Sequence, residues 1–391
     1  MQKFDVCIMG GGASGSMLAV LLAQKNIKVC VIDKFDSPAK KLLVTGNGKC
    51  NITNKNLSSK FYNQNIDGFI KEYGYDDTIK TFENFGLDIY ADEEGRCYPV
   101  SNSAKTVQFV LINQFKKYNI DYLANEVLDV NFDKKQNEYV VDVTDKKICA
   151  EKIVFACGIN NFSLSICKKF GVDVVDCQPS LVALKTKQST KLLDGKRLSD
   201  VLVTATCEKE TKTEVGEVLF KSGGLSGICV FNLSSLFARN KIFSGKIAIN
   251  LLKNSKKSEI SDKIYAKLHI FANILEVLES VFIKEVALEI LKQSGIDKEK
   301  LTAKITKADI EKIAQSITNL TFEISGAYEN NQVVSGGVDL KKLSSNLEST
   351  LNKNMYFCGE LCDVDGICGG YNLQWAWTSA YVVSNAIIKD K

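Results

Sequence analysis

The segment Phe4–Met9 (FDVCIM) is followed at once by Gly10–Gly15 (GGGASG) and then by an apolar run with helical spacing. This order predicts a strand, a tight glycine turn and a helix. Gly10 permits the turn, Gly12 lets the backbone approach a pyrophosphate, and Gly15 allows close packing of helix and strand. The free N–H groups at the helix N-terminus would face the anion.

A second predicted strand, Ile27–Ile32, ends on Asp33, 18 positions after Gly15. A carboxylate there can accept hydrogen bonds from both hydroxyls of an adenosine ribose, and it would repel a 2′-phosphate. An acid at this distance from a glycine turn between a strand and a helix is typical of dinucleotide sites. The opening of the chain therefore predicts a Rossmann-like domain for FAD or NAD.

Later segments favour FAD. Ile153–Gly158 (IVFACG) predicts a buried strand that ends in a glycine turn beneath the cofactor. The predicted strand Met355–Phe357 runs into Glu360 and Asp365, carboxylates suited to the ribityl hydroxyls of a flavin. Gly369–Gln374 then opens a predicted helix whose N-terminus would face the flavin N1 and C2 carbonyl. Such a terminus favours the negative charge of reduced flavin.

Four long motifs resemble one known family. Lys41–Asn54 (KLLVTGNGKCNITN), Gly95–Val107 (GRCYPVSNSAKTV), Val333–Leu340 (VVSGGVDL) and Tyr356–Trp377 are similar to segments of the bacterial flavoproteins related to BaiN and RdsA. These proteins are often described as NAD(P)/FAD-dependent oxidoreductases or aminoacetone-oxidase-like enzymes. The resemblance implies FAD as the cofactor and an oxidoreductase activity.

The motifs and the resemblance together predict a set of cofactor-binding residues, with no catalytic residue and no metal site assigned. The set is Gly10, Gly12, Ala13, Ser14, Gly15, Asp33, Lys34, Lys41, Gly46, Gly48, Cys50, Asn51, Val127, Ala156, Gly158, Gly359, Glu360, Asp365, Gly370, Asn372 and Leu373. The resemblance implies a backbone contact from Val127 to the adenine. Cys50 has no second cysteine at short spacing, so we favour packing over disulfide chemistry for its thiol.

The chain departs from the family pattern in one segment. Gly216–Gly227 (GEVLFKSGGLSG) resembles a segment in which Thr-His follows the phenylalanine, but Lys221 and Ser222 occupy these positions here. The single histidine, His269, lies in the run KLHIFANIL, where we expect a core or interhelix residue. Histidine acid–base chemistry and His-based metal sites are therefore not expected.

The middle of the chain predicts an insertion rich in strands. Asn119–Tyr122 reads as a third strand of the nucleotide domain, and Val127–Thr144 alternates as a small meander would. Within Ser180–Leu252 the runs LVALKT, LVTATCE, GEVLF, ICVFNL and KIAINLL have strand-like composition and are separated by polar or glycine turns. An antiparallel barrel or sheet is the predicted structure.

Ser258–Ile317 changes to helical spacing, with Gly295 as a helix stop and Thr306 with Asp309 as a capping box. The predicted fold is α/β, a Rossmann-like FAD-binding domain of glutathione-reductase type interrupted by a β-barrel-like domain and a helical subdomain. The predicted division gives 1–185 and 336–391 to the FAD-binding domain, 186–255 and 318–335 to a β-rich substrate domain, and 256–317 to the helical subdomain.

Composition limits the class of protein and its partners. With 45% apolar and 25% charged residues among 391, the chain is globular and not intrinsically disordered. A net charge of +4 gives no argument for nucleic acid or an anionic membrane. The thirteen scattered cysteines indicate a reducing compartment, and we expect a cytoplasmic protein without a membrane span. The expected partner is a small-molecule substrate, and the oligomeric state is left open.

The predicted function is hydride transfer between the flavin N5 and a small organic substrate. NAD(P)H is a candidate transient co-substrate at the flavin face, because only one complete dinucleotide fingerprint is visible. Three alternatives stay open: an oxygen-using flavin amine oxidase of the aminoacetone-oxidase type, a flavin-dependent RNA-modifying protein, and a nonenzymatic flavin sensor.

Overall fold

The computed structural model describes residues 2–329 and 333–391. The chain forms two compact units, unit 1 (Met1–Cys177 and Val334–Lys391) and unit 2 (Gln178–Val333). The predicted range 318–335 therefore includes three positions outside the described residues. No helix in the described part of the chain is both long and apolar enough to cross a membrane.

The secondary structure comprises strands β1–β18 and helices α1–α11 in the described residues. The strands are β1 Gln2–Met9, β2 Val29–Asp33, β3 Thr53–Asn54, β4 Ile89–Ala91, β5 Arg96–Pro99, β6 Asp121–Ala124, β7 Val127–Asp133, β8 Glu138–Val143, β9 Lys147–Phe155, β10 Val174–Ser180, β11 Leu184–Thr186, β12 Arg197–Cys207, β13 Glu210–Lys221, β14 Gly224–Ser226, β15 Gly245–Asn250, β16 Leu320–Ala327, β17 Val333–Val338 and β18 Met355–Phe357. The helices are α1 Ala13–Ala23, α2 Asp67–Glu72, α3 Tyr75–Asn84, α4 Ala104–Lys117, α5 Asn161–Lys169, α6 Ile228–Arg239, α7 Lys257–Lys267, α8 Ile274–Glu279, α9 Lys284–Ser294, α10 Lys307–Thr318 and α11 Tyr371–Lys389.

Unit 1 is built on a seven-stranded sheet of order β6-β2-β1-β9-β8-β7, with β18 also paired to β9. The strands β6, β2, β1, β9 and β18 pair in parallel, and β7 and β8 form an antiparallel meander with β9. In register, Met9 lies beside Phe155, which lies beside Phe357. The carboxyl ends of these strands therefore meet at one edge of the sheet, and the predicted Rossmann-like fold is confirmed.

The C-terminal helix α11 is one of the most buried elements of unit 1. Its residues Trp375 and Trp377 are 1% and 0% exposed. Each indole N–H has an acceptor, since Trp375 donates to the Gly359 carbonyl at 3.0 Å and Trp377 to the Ile52 carbonyl at 2.9 Å. Because both polar atoms are satisfied, these large rings can fill the core without leaving a buried donor unpaired.

Unit 2 contains a closed barrel of order β11-β14-β13-β12-β15-β16. Its core is shared with helices, since Val203 and Phe322 of the barrel belong to one apolar cluster with Ile264, Ile290 and Ile313. The helical segment therefore packs its apolar face on the barrel in one common core. The predicted boundary between residues 185 and 186 falls inside β11, a strand of this barrel.

Two local features of unit 2 follow the sequence patterns. Gly295 ends α9 with a φ of 67°, a left-handed conformation that favours glycine. Thr306 caps α10, where its hydroxyl accepts from the Asp309 N–H at 3.2 Å. The predicted helix stop and capping box are confirmed.

Two predictions in unit 2 are wrong. The run ICVFNL, predicted as a strand, opens α6, and Val230, Leu233 and Phe237 are buried at helical spacing. A six-residue apolar run is compatible with both a buried strand and a buried helix face, so its periodicity alone does not decide between them. His269 lies in an exposed turn between α7 and α8, so the core alternative of its prediction is wrong and the position between two helices is found.

Candidate flavin site

The glycine turn after β1 contains two positions that only glycine can occupy and one that opens to solvent. Gly10 has a φ of +104°, and a Cβ there would lie 2.5 Å from the Cys157 Cα. A Cβ at Gly15 would lie 1.9 Å from the Gly10 carbonyl oxygen. Gly12, which precedes α1, has nothing within 4 Å of its Cβ position and no side-chain cap. The first N–H groups of α1 therefore lie next to open space.

Asp33 lies at the carboxyl end of β2 and faces this turn. Its two carboxylate oxygens accept from the Gly11 N–H at 2.6 Å and the Phe35 N–H at 2.9 Å. The Asn125 N–H donates to the Asp33 carbonyl at 2.8 Å. Strand β7 begins two residues after Asn125, at Val127, so the predicted adenine contact lies close to Asp33 along this segment. The carboxylate is held in place by backbone groups and keeps lone pairs for further donors.

Lys34, another predicted site residue, directly follows Asp33 at the end of β2. Its side chain is exposed, and its ammonium group lies 5.6 Å from the centroid of the Phe35 ring. The role of Lys34 in cofactor binding stays a prediction.

Glu360, Gly158 and Lys41 come together at the ends of β9 and β18. A Cβ at Gly158 would lie 3.1 Å from the Glu360 carboxylate and 3.8 Å from the Lys41 Nζ. The Val334 N–H donates to Glu360 Oε1 at 3.1 Å. Burial raises the pKa of the Glu360 carboxyl, while Lys41 and the Val334 N–H oppose the rise. A glycine at 158 therefore keeps space for this half-buried acid.

Gly359 joins helices α1 and α11 to the end of β18. Its φ is +69°, and a Cβ there would lie 2.4 Å from the Ser14 Oγ. The Gly359 N–H donates to the Ser379 Oγ at 2.9 Å. Ser14 and Gly359, predicted as site residues more than 300 positions apart, are therefore in direct contact, and Ser379 is a partner that the sequence analysis did not find.

The start of α11 is fixed by an asparagine from the loop before β3. Gly370 has a φ of +96°, and a Cβ there would lie 2.4 Å from the Thr53 carbonyl. The Asn51 side-chain oxygen accepts from the Gly370 N–H at 3.1 Å. Asn372 brackets Gly366, accepting from its N–H and donating to its carbonyl, both at 2.9 Å.

The remaining predicted residues divide between buried and exposed positions. Gly46 and Gly48 lie in an exposed turn, with φ of +54° and +82°. Asp365 is buried, whereas Ala13 and Leu373 are half-buried. The buried Ala156 donates its N–H to the Met9 carbonyl at 2.8 Å, which joins the ends of β1 and β9.

Cys50 is fully buried, and burial raises the pKa of its thiol to about 12. Burial likewise raises the pKa values of Cys157 and Cys358 to about 12. These thiols are protonated at neutral pH, and a protonated thiol is a poor nucleophile. The geometry therefore supports packing for Cys50.

Sequence reasoning also missed a buried polar network around Gln374. Its Oε1 accepts from the Thr53 hydroxyl at 2.5 Å and the Thr78 hydroxyl at 3.1 Å, and its Nε2 donates to the Thr378 hydroxyl at 2.9 Å. Gln374 is 0% exposed. Its partners Thr53 and Thr78 are 321 and 296 positions away in the sequence, so no local sequence pattern predicts the network.

The described residues fit the groups of FAD. The open N-terminus of α1 at Gly12 suits a diphosphate, because the N–H groups of a first helical turn lack intrahelical acceptors. The Asp33 carboxylate lies at the carboxyl end of the next strand, where a ribose binds in dinucleotide folds. Glu360 lies past the end of β18, and its carboxylate could accept from a polyol hydroxyl.

Asp33→Ala tests the assignment of the ribose. We expect FAD binding to weaken by about 1.5–3 kcal/mol, the range for a hydrogen bond to a charged group. Equilibrium titration of the apoprotein with FAD measures the change. Asp5→Ala, at an exposed acid that also accepts from a backbone N–H, is the matched control and should bind FAD as the parent does. Equal affinity in the Asp33→Ala protein would contradict the assignment.

Known proteins resemble this chain over nearly all of its length. A 3-dehydro-bile acid delta(4,6)-reductase of Clostridium scindens is 28% identical and covers 97% of this chain and 98% of its own. A ribosomal RNA dihydrouridine synthase of Escherichia coli is also 28% identical and covers 100% of both chains. Among solved structures, the open conformation of a flavocytochrome c3 fumarate reductase has a TM-score of 0.46 at 12% identity, covering 99% of this chain and 78% of its own.

One protein family matches almost the whole chain. The model of the HI0933-like protein Rossmann domain matches residues 4–386, which include the glycine turn, the barrel and α11 up to its last turn. The match agrees with the resemblance that the motifs indicated. The chain therefore belongs to the HI0933-like family of FAD-dependent oxidoreductases.

Proposed function

We propose that this protein holds FAD noncovalently at the carboxyl ends of β1, β2, β9 and β18, and reduces a carbon–carbon double bond conjugated to a carbonyl. The observation that carries the proposal is the open N-terminus of α1 at Gly12, with the Asp33 carboxylate fixed beside the same turn by the Gly11 N–H. A helix N-terminus and a neighbouring acid are suited to the diphosphate and ribose of one dinucleotide.

Different residues of the chain would bind different groups of FAD. Asp33 would accept from the ribose hydroxyls, and the first N–H groups of α1 would donate to the diphosphate. Glu360 would accept from a ribityl hydroxyl. Gly370, held by Asn51, begins the helix whose positive end would face the flavin N1 and C2 carbonyl. When bound, FAD supplies a hydride donor at its N5.

The names of the relatives support the class of reaction. A delta(4,6)-reductase acting on a 3-dehydro compound and a dihydrouridine synthase both saturate a carbon–carbon double bond near a carbonyl. Such a bond accepts hydride at the carbon remote from the carbonyl, and the adjacent carbon then takes a proton. The carbonyl stabilises the negative charge that develops between these steps. The adjacent carbon can take its proton from water, so the reaction does not require a histidine, which agrees with the single exposed His269.

NAD(P)H is the proposed reductant. Only one glycine fingerprint is visible in the sequence, so a pyridine nucleotide would bind transiently and leave before the acceptor arrives. This order separates the reaction into a reductive and an oxidative half that can be observed independently.

An anaerobic experiment tests both halves. The purified protein should be yellow and release FAD on denaturation, and NADH or NADPH should bleach the flavin spectrum. Addition of 2-cyclohexen-1-one, a simple conjugated enone, should then restore the oxidised spectrum. Cyclohexanone, which lacks the double bond, should not. Release of FMN would refute the cofactor assignment. Rapid reoxidation by oxygen with no response to the enone would favour the amine oxidase instead.

Ribosomal RNA is the second candidate substrate, favoured by the name of the Escherichia coli relative. Unit 2 also carries 23 Lys and Arg against 18 Asp and Glu, so the positive charge of the chain is concentrated there. Incubating the reduced protein with unmodified ribosomal RNA, followed by nucleoside mass spectrometry, tests this candidate. Uridine that gains two hydrogen atoms would support it, and unchanged uridine together with enone reduction would favour the small substrate.

His269→Gln should leave FAD content and flavin reduction unchanged within experimental error. The residue lies in an exposed turn after α7 in unit 2, and the proposed FAD-binding groups all lie in unit 1. Stopped-flow reduction by NAD(P)H measures the rate. A large loss in a folded, flavin-replete variant would show that histidine takes part in the chemistry.

A further inference from the structure

Unit 2 holds a tyrosine with two lysines against its ring. The Lys185 Nζ lies 5.5 Å and the Lys221 Nζ 5.7 Å from the centroid of the Tyr328 ring. The lysines come from β11 and the end of β13, and the tyrosine follows β16. The two ammonium groups are thus no more than about 11 Å apart, within cation–π distance of one aromatic ring.

The ring is held by backbone on two sides. The Tyr328 hydroxyl donates to the Ser222 carbonyl at 2.9 Å, and a Cβ at Gly224 would lie 2.6 Å from the ring. Thr190, 1% exposed, donates to the Lys221 carbonyl at 2.6 Å and accepts from the Gly224 N–H at 3.0 Å. The turn that carries Lys221 is therefore fixed, and its glycine leaves space for the tyrosine.

These two lysines differ from their neighbours on the barrel. Lys187 pairs with Glu323 at 3.0 Å, and Arg197 with Glu217 at 3.1 Å. Within residues 2–329 and 333–391, neither Lys185 nor Lys221 forms an ion pair with a carboxylate. Both side chains are exposed, so their charge is available to a ligand. Two positive charges held near one fixed ring raise the local positive potential, which favours the binding of an anion beside them.

We propose that Lys185, Lys221 and Tyr328 bind an oxyanion, a carboxylate or a phosphate, of a small organic molecule. This inference goes beyond the proposed function, because it names a ligand site within unit 2 itself. Lys221 stands in the segment where the sequence departs from the related Thr-His pattern, so this chain has a cation where the pattern has a neutral side chain.

Pyridoxal 5′-phosphate, an aldehyde with a phosphate, is the probe. It forms imines with lysines, and borohydride reduction makes the labels permanent for peptide mass spectrometry. The experiment uses the FAD-bound protein, with labelling complete before any substrate is added. We expect Lys185 and Lys221 to be labelled at least about fivefold faster than Lys187, because a fixed positive site concentrates the anionic probe. Pyridoxal without the phosphate should show no such preference.

Competition identifies the source of the oxyanion. Inorganic phosphate, benzoate and a short RNA are each added before the probe. Protection of Lys185 and Lys221 by phosphate or benzoate supports the proposal and tells the two oxyanions apart. Protection by the RNA alone would overturn it in favour of an RNA-binding surface. Equal labelling of Lys185, Lys221 and Lys187, without protection, would also overturn it.

A charge-removing variant separates the site from general reactivity. In Lys221→Met, phosphate should no longer protect Lys185, while labelling of Lys187 stays as in the parent. Circular dichroism and FAD content verify that the variant is folded. Unchanged protection of Lys185 in the folded variant would contradict a shared site. Because no turnover is measured, a negative result leaves the enone experiment unaffected, and the two proposals can fail separately.

Discussion

Gly15→Ala should give a large loss of stability. The added Cβ would lie 1.9 Å from the Gly10 carbonyl oxygen and 3.1 Å from the Ala156 Cβ. The first of these atoms belongs to the backbone of a tight turn, which cannot move without separating β1 from α1. We expect a loss of about 3 kcal/mol or more in the free energy of unfolding, the upper end for overpacked cores. Urea unfolding monitored by circular dichroism measures it.

Gly12→Ala is the matched control for Gly15→Ala. Its backbone has a φ of −70°, which alanine can adopt, and nothing lies within 4 Å of the added Cβ. The fold should therefore keep its stability, while FAD affinity falls because the methyl group occupies the space proposed for the diphosphate. A stable Gly12→Ala protein with parental FAD affinity would contradict the placement of the diphosphate. A stable Gly15→Ala protein would contradict the close contact between helix and strand.

Gln374→Leu should give the second large loss of stability. It should also change the flavin midpoint potential, because Gln374 fixes the position of α11. Leucine leaves the Thr53 hydroxyl without its Oε1 acceptor and removes one partner each from Thr78 and Thr378, whose hydroxyls keep the Gly74 and Tyr73 carbonyls as acceptors. Buried polar groups that lose their partners cost about 1–3 kcal/mol each, with partial relief from relaxation. We expect a loss of about 2–4 kcal/mol in unfolding free energy and a lower flavin midpoint potential.

The flavin midpoint potential distinguishes a role of Gln374 in positioning the N-terminus of α11 from a role in stability alone. Gln374 joins the start of α11 to Thr53, whose carbonyl lies against Gly370. If the helix N-terminus stabilises the reduced flavin, moving it should lower the potential. Gln293→Leu is the control, because this half-buried glutamine of unit 2 likewise has two acceptors for its amide, the Glu289 carboxylate and the Thr321 carbonyl. It should destabilise the protein without shifting the potential. An unchanged potential in Gln374→Leu with FAD bound would show that α11 does not act on the ring.

The sequence alone determined the features whose causes lie within a few positions of each other. The strand, glycine turn and helix at Gly10–Gly15, the helix stop at Gly295 and the Thr306 cap were all predicted and found. A positive φ, a capping hydrogen bond and an apolar period involve neighbours along the chain, so their signals can be identified in one window. The departure at Lys221 was likewise visible in the sequence.

The tertiary structure alone decided which distant residues meet. The run ICVFNL became α6 because its apolar face covers the barrel, although its composition also suits a strand. Gln374 meets Thr53 across 321 positions, and Lys221 shares the Tyr328 ring with Lys185 of another strand. Such contacts depend on strand order, barrel closure and core packing, which no local window contains. The sequence therefore determined the glycine turn and the Asp33 carboxylate beside it, and packing decided what surrounds them.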